Sequence, residues 1–373
     1  MSIEINGWVA PGFEPVSEAM RENFARGEET GAAFAVYRDG EPLVDIWAGQ
    51  AGRTAEEPWT RDTVACVYST SKAISALVVA RLAGDGELDY EDPVSKLWPE
   101  FAAEGKGALT IGQAISHQAG LCGFPFEIDK GLWFDPPALA DMLARMKPLW
   151  EPGTASGYHP LTWGYIVGEI VRRATGQSLG EILREDITGP LEIDFHYGLP
   201  EAEMKRNAAM KKPSRAANLG EINELKTAAF LTPWSAPLRN DPRYYATEIP
   251  SANGHGTARA IAKLYAAYAC DGNIDGAQIL SPMAYAELTK PRIKGPDLVL
   301  PFDLDWRAGV LGNAQGFYGP NTDALGHSGF GGSCGFGDPA TRISVGYVMN
   351  KQAQYLMGDP RALRLIEALY ACV

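Results

Sequence analysis

"VYSTSKAISAL", Val67–Leu77, decides how this chain is to be read. Ser69 is followed three positions later by Lys72, and then by Ile74, Leu77, Val78, Val79 and Leu82 at helical spacing. A short apolar run, "CVYS", leads into it. The pattern puts Ser69 at a helix start and Lys72 one turn on, on the same face. The first backbone N–H groups of a helix have no partner inside it, so they point at whatever such a serine attacks. That is half of an oxyanion hole. A plain N-cap serine leaves the same local signature. A chain of this length also holds roughly one Ser-x-x-Lys by chance.

A second stretch competes for the role. "GGSCG", Gly331–Gly335, matches G-x-S-x-G. A nucleophile elbow of that kind needs a strand before it, a helix after it, and an acid and a histidine further on. Ser333 is followed by "CGFGDPATR", a turn and then a strand-like run, and no histidine lies beyond His327. Ser333 is therefore read as part of a Gly-rich turn between strands.

If Ser69 is a nucleophile, it needs a base. Free lysine titrates near 10.4, too high to accept a proton at neutral pH. Burial and a positive helix end both disfavour the ammonium. Lowering the pKa by ~2–3 units costs ~3–4 kcal/mol, within reach of a buried site. A second polar group that relays the proton would complete the machinery.

The rest of the chain frames this segment. "EPVSEAMRENFARGEE" spaces Val16, Met20 and Phe24 as a helix. "AAFAVYRDGEPLVDIWAGQ" reads as two strands around an Asp39-Gly40 turn. Near the other end, "FDLDWRAGVLG", "CGFGDP" and "ISVGYVMN" read as strands, and "PRALRLIEALYACV" as a helix begun by Pro360. The middle is mostly helical, with "KAISALVVARLAG", "PALADMLARMK", "TWGYIVGEIVRRATG" and "GTARAIAKLYAAYACDG". The predicted fold is α+β: a discontinuous sheet domain from 1–61 and 289–373, flanked by terminal helices, with a mostly helical domain, 62–288, inserted. Glu201–Pro250 is irregular and rich in Pro, Lys and Arg, as walls and lids of sites often are.

Three further stretches fall into place. "LWEPGTASGYHP" carries Tyr158, "LGHSGFGGS" carries His327-Ser328-Gly329, and "ISHQAGL" carries His117. Ser69-x-x-Lys72, a Tyr triplet and a (Lys/His)-x-Gly strand in this order resemble the serine β-lactamase and penicillin-binding-protein superfamily. Within it the chain looks most like class C β-lactamases and the family VIII serine esterases, over nearly its whole length. The resemblance implies an antiparallel sheet flanked by terminal helices and packed on a helical domain, with the site in the cleft between. It implies that Ser69 is acylated and that Lys72 and Tyr158 act together as general base and then acid. It places the oxyanion hole at the N–H groups of Ser69 and Phe330, and substrate contacts at His327, Ser328 and Gly329. Family VIII esterases often carry a non-catalytic G-x-S-x-G, which agrees with the reading of Ser333.

Two departures bear on substrate. Class C lactamases have Tyr-x-Asn where this chain has Tyr158-His159-Pro160, and proline offers no side-chain hydrogen bond. Lactamases and peptidases usually have lysine where this chain has His327, mostly neutral at pH 7. Both losses weaken recognition of a β-lactam or a D-Ala terminus. The expected activity is cleavage of small carboxylic esters through an acyl-enzyme. The alternatives on the same site are β-lactamase, D-amino peptidase, amide hydrolase or acyltransferase. A catalytically dead acyl-binding relative is the alternative of another class.

Other residues carry paired readings. His159 tunes the relay or shapes a turn; His117 satisfies backbone groups in a helix-end turn. Trp234, Tyr244 and Tyr245 line an acyl pocket or form a satellite core. Asn253 and Gly254 reach the cleft or cap a helix. His196 and His255 show no metal spacing, and neither metal nor cofactor is expected. A formal net charge of −13 repels phosphate backbones, so nucleic acid is not an expected partner. No basic run suggests a membrane surface, and no apolar stretch reaches the ~20 residues that span a bilayer. The expected partner is a small-molecule ester, and oligomeric state is left open. The start, "MSIEINGWVAPGFEPV", shows no signal-peptide pattern, and Cys66, Cys122, Cys270, Cys334 and Cys372 form no C-x-x-C. A cytoplasmic location is the expectation.

Overall fold

The computed structural model describes residues 3–52 and 56–373. Among these residues nine strands form one fully antiparallel sheet. They are β1 (Asn6–Val9), β2 (Gly31–Arg38), β3 (Glu41–Gly49), β4 (Ile293–Pro296), β5 (Asp303–Trp306), β6 (Leu311–Gly312), β7 (Leu325–Ser328), β8 (Cys334–Asp338) and β9 (Ile343–Met349). Their order is β1-β3-β2-β9-β8-β7-β6-β5-β4. The two ends of the chain thus meet at β2 and β9, where Val36 lies opposite Val345 and Ala35 opposite Gly346. The β2–β3 hairpin turns at Asp39 and Gly40, both with positive φ (53° and 82°), as a two-residue primed turn requires.

Both faces of the sheet are covered. The terminal helices α1 (Glu14–Ala25) and α6 (Pro360–Tyr370) pack on each other. The other face carries α5 (Ala258–Ala269). Alternation along β8 separates the two: Gly335 and Gly337 point at α5, whereas Asp338 on the opposite face accepts from Tyr370 Oη of α6 at 2.6 Å. Glycine is needed at the α5 contact. A Cβ on Gly346 would stand 2.2 Å from the Ala258 carbonyl oxygen, so the helix backbone rests on the strand backbone. Helix α5 comes from the middle of the chain, so the sheet layer draws on that block as well as on the two ends.

The remaining middle segment forms the helical layer around α2 (Ser71–Gly84), α3 (Pro136–Arg145) and α4 (Thr162–Thr175). Helix α2 is buried all round, from Ser71 to Ala80 without interruption, as expected for a helix apolar on every face. The region from Glu201 to Pro250 holds only short helical turns, among them Glu201–Arg206 and Pro242–Ala246. Among the described residues no helix is long and apolar enough to cross a membrane.

Candidate active site

Ser69 lies in a 3-10 turn, Tyr68–Thr70, between the short strand Ala65–Cys66 and α2. The cap position of α2 is Thr70, whose side chain makes no capping bond, so Ser69 is not an N-cap. Tyr68 has φ 47°, a left-handed conformation that costs a tyrosine roughly 1–3 kcal/mol. Surrounding bonds hold it there. The Val67 N–H donates to Gly254 O (2.9 Å), Tyr265 Oη to Thr70 O (2.7 Å) and Tyr197 Oη to Ser71 O (2.6 Å). Among the described residues no backbone partner takes the Ser69 N–H or the Phe330 N–H, and both residues line one cavity.

Lys72 is fully buried. Its Nζ lies 3.2 Å from Ser69 Oγ and 3.1 Å from Tyr158 Oη. It also donates to Pro160 O (2.8 Å) and Ser251 O (3.0 Å). Carbonyls can only accept, so these two take two N–H groups. A neutral amine has two, which leaves its lone pair toward Ser69 and Tyr158. Burial drives the ammonium pKa well below the ordinary lysine value. Burial also holds the Tyr158 phenol protonated, its pKa raised far above neutrality. The geometry can therefore move a proton from Ser69 to an amine and along a phenol.

Tyr158 is placed by a residue that the sequence did not point to. Asp297 is buried, and its Oδ1 accepts the N–H groups of Tyr158, Val299 and Leu300, each at 2.9 Å. Its Oδ2 accepts from Trp306 Nε1 at 3.2 Å. Trp306 in turn stacks on the Tyr158 ring, centroids 5.8 Å apart and 7° from parallel. The bonds from Val299 and Leu300 are local to "GPDLVLPFDLDW", but nothing in that stretch marks the bond to Tyr158, 139 positions away in sequence.

His327 is the penultimate residue of β7, beside the cavity. Its Nδ1–H donates to Ser328 O at 2.8 Å, so Nε2 carries a lone pair. Burial pushes the imidazole down to about 3, and it is neutral at pH 7. The cavity, about 260 Å³, is walled by Tyr68, Trp133, Phe230, Leu300 and Trp306, with Pro213, Ala216, Ala217 and Leu219 closing one side. No Asp, Glu, Lys or Arg lines it among the described residues. The irregular region thus serves as its wall.

Several expected contacts turn away from this cavity. His159 is a scaffold: Nε2 accepts the Leu121 N–H (2.9 Å), Nδ1 donates to Gly157 O (2.6 Å), and its own N–H donates to His117 Nδ1 (3.1 Å). Its imidazole thereby closes the Tyr158 loop on the His117 turn. Trp234 stands behind Trp133 and Phe124, with centroids 5.5 and 5.0 Å away. Asn253 is fully buried, donating to Tyr244 O and Thr247 O (both 2.6 Å) and accepting from the Ile249 N–H. Gly329 gives its N–H to Ser333 O (2.7 Å); a Cβ there would meet Val67 O at 2.2 Å. Gly254 braces the start of α2, its N–H donating to Ser71 Oγ at 3.0 Å. Tyr245 donates to Asn240 Oδ1 at 2.9 Å. Tyr244 and Ser328 do line the cavity. His196 pairs with Asp194 (3.1 Å), and no group of three or more His, Cys, Asp or Glu among the described residues could hold a metal ion.

Comparison with known proteins gives the family. The Beta-lactamase family model matches residues 16–368. The esterase/beta-lactamase LipL of Mycobacterium tuberculosis (strain ATCC 25618 / H37Rv) is 34% identical over 92% of this chain and 82% of its own. A penicillin-binding-protein homolog from Caulobacter crescentus superposes with TM-score 0.96 at 47% identity, covering 99% of this chain and 100% of that one. A family VIII carboxylesterase superposes with TM-score 0.93 at 41% identity over the full length of both. With the antiparallel sheet and the match along nearly all of its length, the chain belongs to the beta-lactamase family.

Proposed function

We propose that the protein hydrolyses small uncharged carboxylic esters through an acyl-enzyme on Ser69. The observation that carries this is Lys72 Nζ, buried within 3.2 Å of Ser69 Oγ and 3.1 Å of Tyr158 Oη, with its N–H groups held by two carbonyls. In this mechanism the Ser69 proton passes to Lys72 as Oγ bonds the ester carbon. The N–H groups of Ser69 and Phe330 hold the oxyanion. As the C–O bond breaks, Tyr158 gives its phenolic proton to the departing alkoxide and takes the proton held on Lys72, so an alcohol leaves and both groups return to their starting state. Water repeats the sequence on the acyl-enzyme and releases the acid. Relatives named as an esterase/beta-lactamase and a carboxylesterase support ester chemistry. We place this work in a reducing, cytoplasmic setting, because all five cysteines are free.

The test is labelling with a fluorophosphonate, followed by peptide mapping, beside hydrolysis of p-nitrophenyl butyrate. The expected result is one adduct on the Ser69 peptide and steady turnover. An adduct on another serine, or none, sinks the proposal.

β-Lactam hydrolysis is the second reading, favoured by the double name of the Mycobacterium relative. The cavity argues against it. No cationic side chain lines the cavity to meet a β-lactam carboxylate, which would face the His327 lone pair; Arg239, over the Phe330 ring at 5.8 Å, gives its Nε–H to Gln352. Leaving a carboxylate unpaired in an apolar site costs about 3 kcal/mol, roughly 10²-fold in rate. Butyrate ester should therefore exceed the anionic mono-p-nitrophenyl succinate in kcat/KM by roughly 10²-fold. Equal rates for the two would show that charge is tolerated and reopen the lactam reading.

A further inference from the structure

Ser333 has no part in the chemistry above, yet its hydroxyl is not idle. The residue is 1% exposed, in the turn between β7 and β8. Its Oγ donates to Val67 O at 2.8 Å and lies 3.1 Å from Thr70 Oγ1. The single hydroxyl hydrogen goes to the carbonyl, which can only accept, so Thr70 donates to Ser333. Val67 and Thr70 bracket Ser69. The backbone carbonyl of Ser333 takes the Gly329 N–H at 2.7 Å, which closes the turn carrying Phe330. A Cβ on Gly329 would lie 2.2 Å from both Ser333 Oγ and Val67 O, so the turn and the nucleophile segment are in direct backbone contact.

We infer that Ser333 is a positioning residue that ties the 329–333 turn to the 67–70 segment and so fixes the separation of the Ser69 and Phe330 N–H groups. The inference rests on the reading that these two groups hold the oxyanion. Hydrogen-bond stabilisation of an oxyanion depends on donors standing at the right place before reaction, and loss of one donor costs roughly 10²–10³-fold in kcat. A partial displacement costs part of that. The outer side of the turn is held separately: Arg361 Nη2 donates to Gly331 O (2.7 Å) and Gln352 Nε2 to Phe330 O (3.3 Å). Removing the Ser333 hydroxyl should therefore shift the turn rather than unfold it.

The experiment compares wild type, Ser333→Ala, Thr70→Val and the double variant. It reads kcat and KM for p-nitrophenyl butyrate, the rate of fluorophosphonate labelling at Ser69, and thermal stability. In Ser333→Ala we expect kcat and the labelling rate to fall roughly 10–100-fold, with KM within about threefold of wild type. Thr70→Val should give a smaller loss that does not add to the first, because both act through one hydrogen-bonded chain. Unchanged kcat and labelling in Ser333→Ala overturns the positioning role. So does a loss that tracks thermal unfolding and is recovered on cooling, which is what a merely structural serine gives. Wild type that neither labels at Ser69 nor turns over the ester is a different failure: it removes the hydrolase reading, and the positioning role with it.

Discussion

Lys72→Met is expected to lower kcat roughly 10³-fold with the fold retained, the size of effect that removing a general base produces. Methionine matches the length of the lysine stem and fits the same buried space, but has no nitrogen to take the Ser69 proton. It leaves Pro160 O and Ser251 O without their donor, so a modest loss of stability accompanies the loss of rate. Lys72→Arg separates base from charge. Guanidinium stays protonated at any working pH, so arginine should fail as badly as methionine if Lys72 is a base, and should recover activity if only a positive charge is needed. The pH profile gives the sign. Burial lowers the folded pKa of Lys72, and the neutral amine is the working form. Wild-type kcat/KM should rise as pH increases through that lowered pKa and fall below it. The residual rate of Lys72→Met should lack this limb. Lys72→Met within fivefold of wild type would remove Lys72 from the mechanism, and Lys72→Arg within fivefold would remove it as the base.

The core of the site was legible in the sequence because it follows helix geometry. Ser69 and Lys72 are three apart ahead of a helical apolar run, and that spacing alone puts them on one face. The terminal helices and the Asp39-Gly40 hairpin were legible for similar local reasons. Side-chain direction in loops was not. His159, Trp234 and Asn253 are residue types that suit a pocket, but each spends its polar or aromatic surface on the scaffold. No local pattern tells which way a loop residue points when its partners are distant in sequence. Tyr68 shows the same limit in the backbone: a left-handed residue is usually flagged by glycine, and here, just before Ser69, tyrosine is forced into it by tertiary bonds. The cavity wall from Pro213 to Leu219 has no periodicity to read, so its apolar character emerged only from the folded chain.

Asp297→Ala is expected to cost about 3 kcal/mol or more of stability, from three buried backbone donors left unpaired at roughly 1 kcal/mol or more each. The donors are the N–H groups of Tyr158, Val299 and Leu300, and Trp306 Nε1–H loses its partner as well. The carboxylate is itself strained by its setting, since burial raises its pKa above the ordinary aspartate value against the pull of these bonds. A raised carboxyl pKa means that the folded chain binds the proton more tightly than the unfolded one. Its contribution is therefore most favourable below the unfolded pKa and declines as pH rises through the folded pKa. Asp297→Asn is the informative partner. Its amide oxygen can still accept all three backbone N–H groups, while its NH₂ opposes the Trp306 N–H, so it should cost clearly less than alanine. Activity should follow Tyr158. Alanine frees the backbone at the residue whose phenol must stay 3.1 Å from Lys72, and kcat should fall with it; asparagine should restore most of that rate. Urea unfolding of both variants, with kcat measured on the folded fraction, separates the two effects. Alanine within 1 kcal/mol of wild type, at unchanged kcat, would mean that the Tyr158 loop is held by its stacking on Trp306 and its bonds to His117 instead.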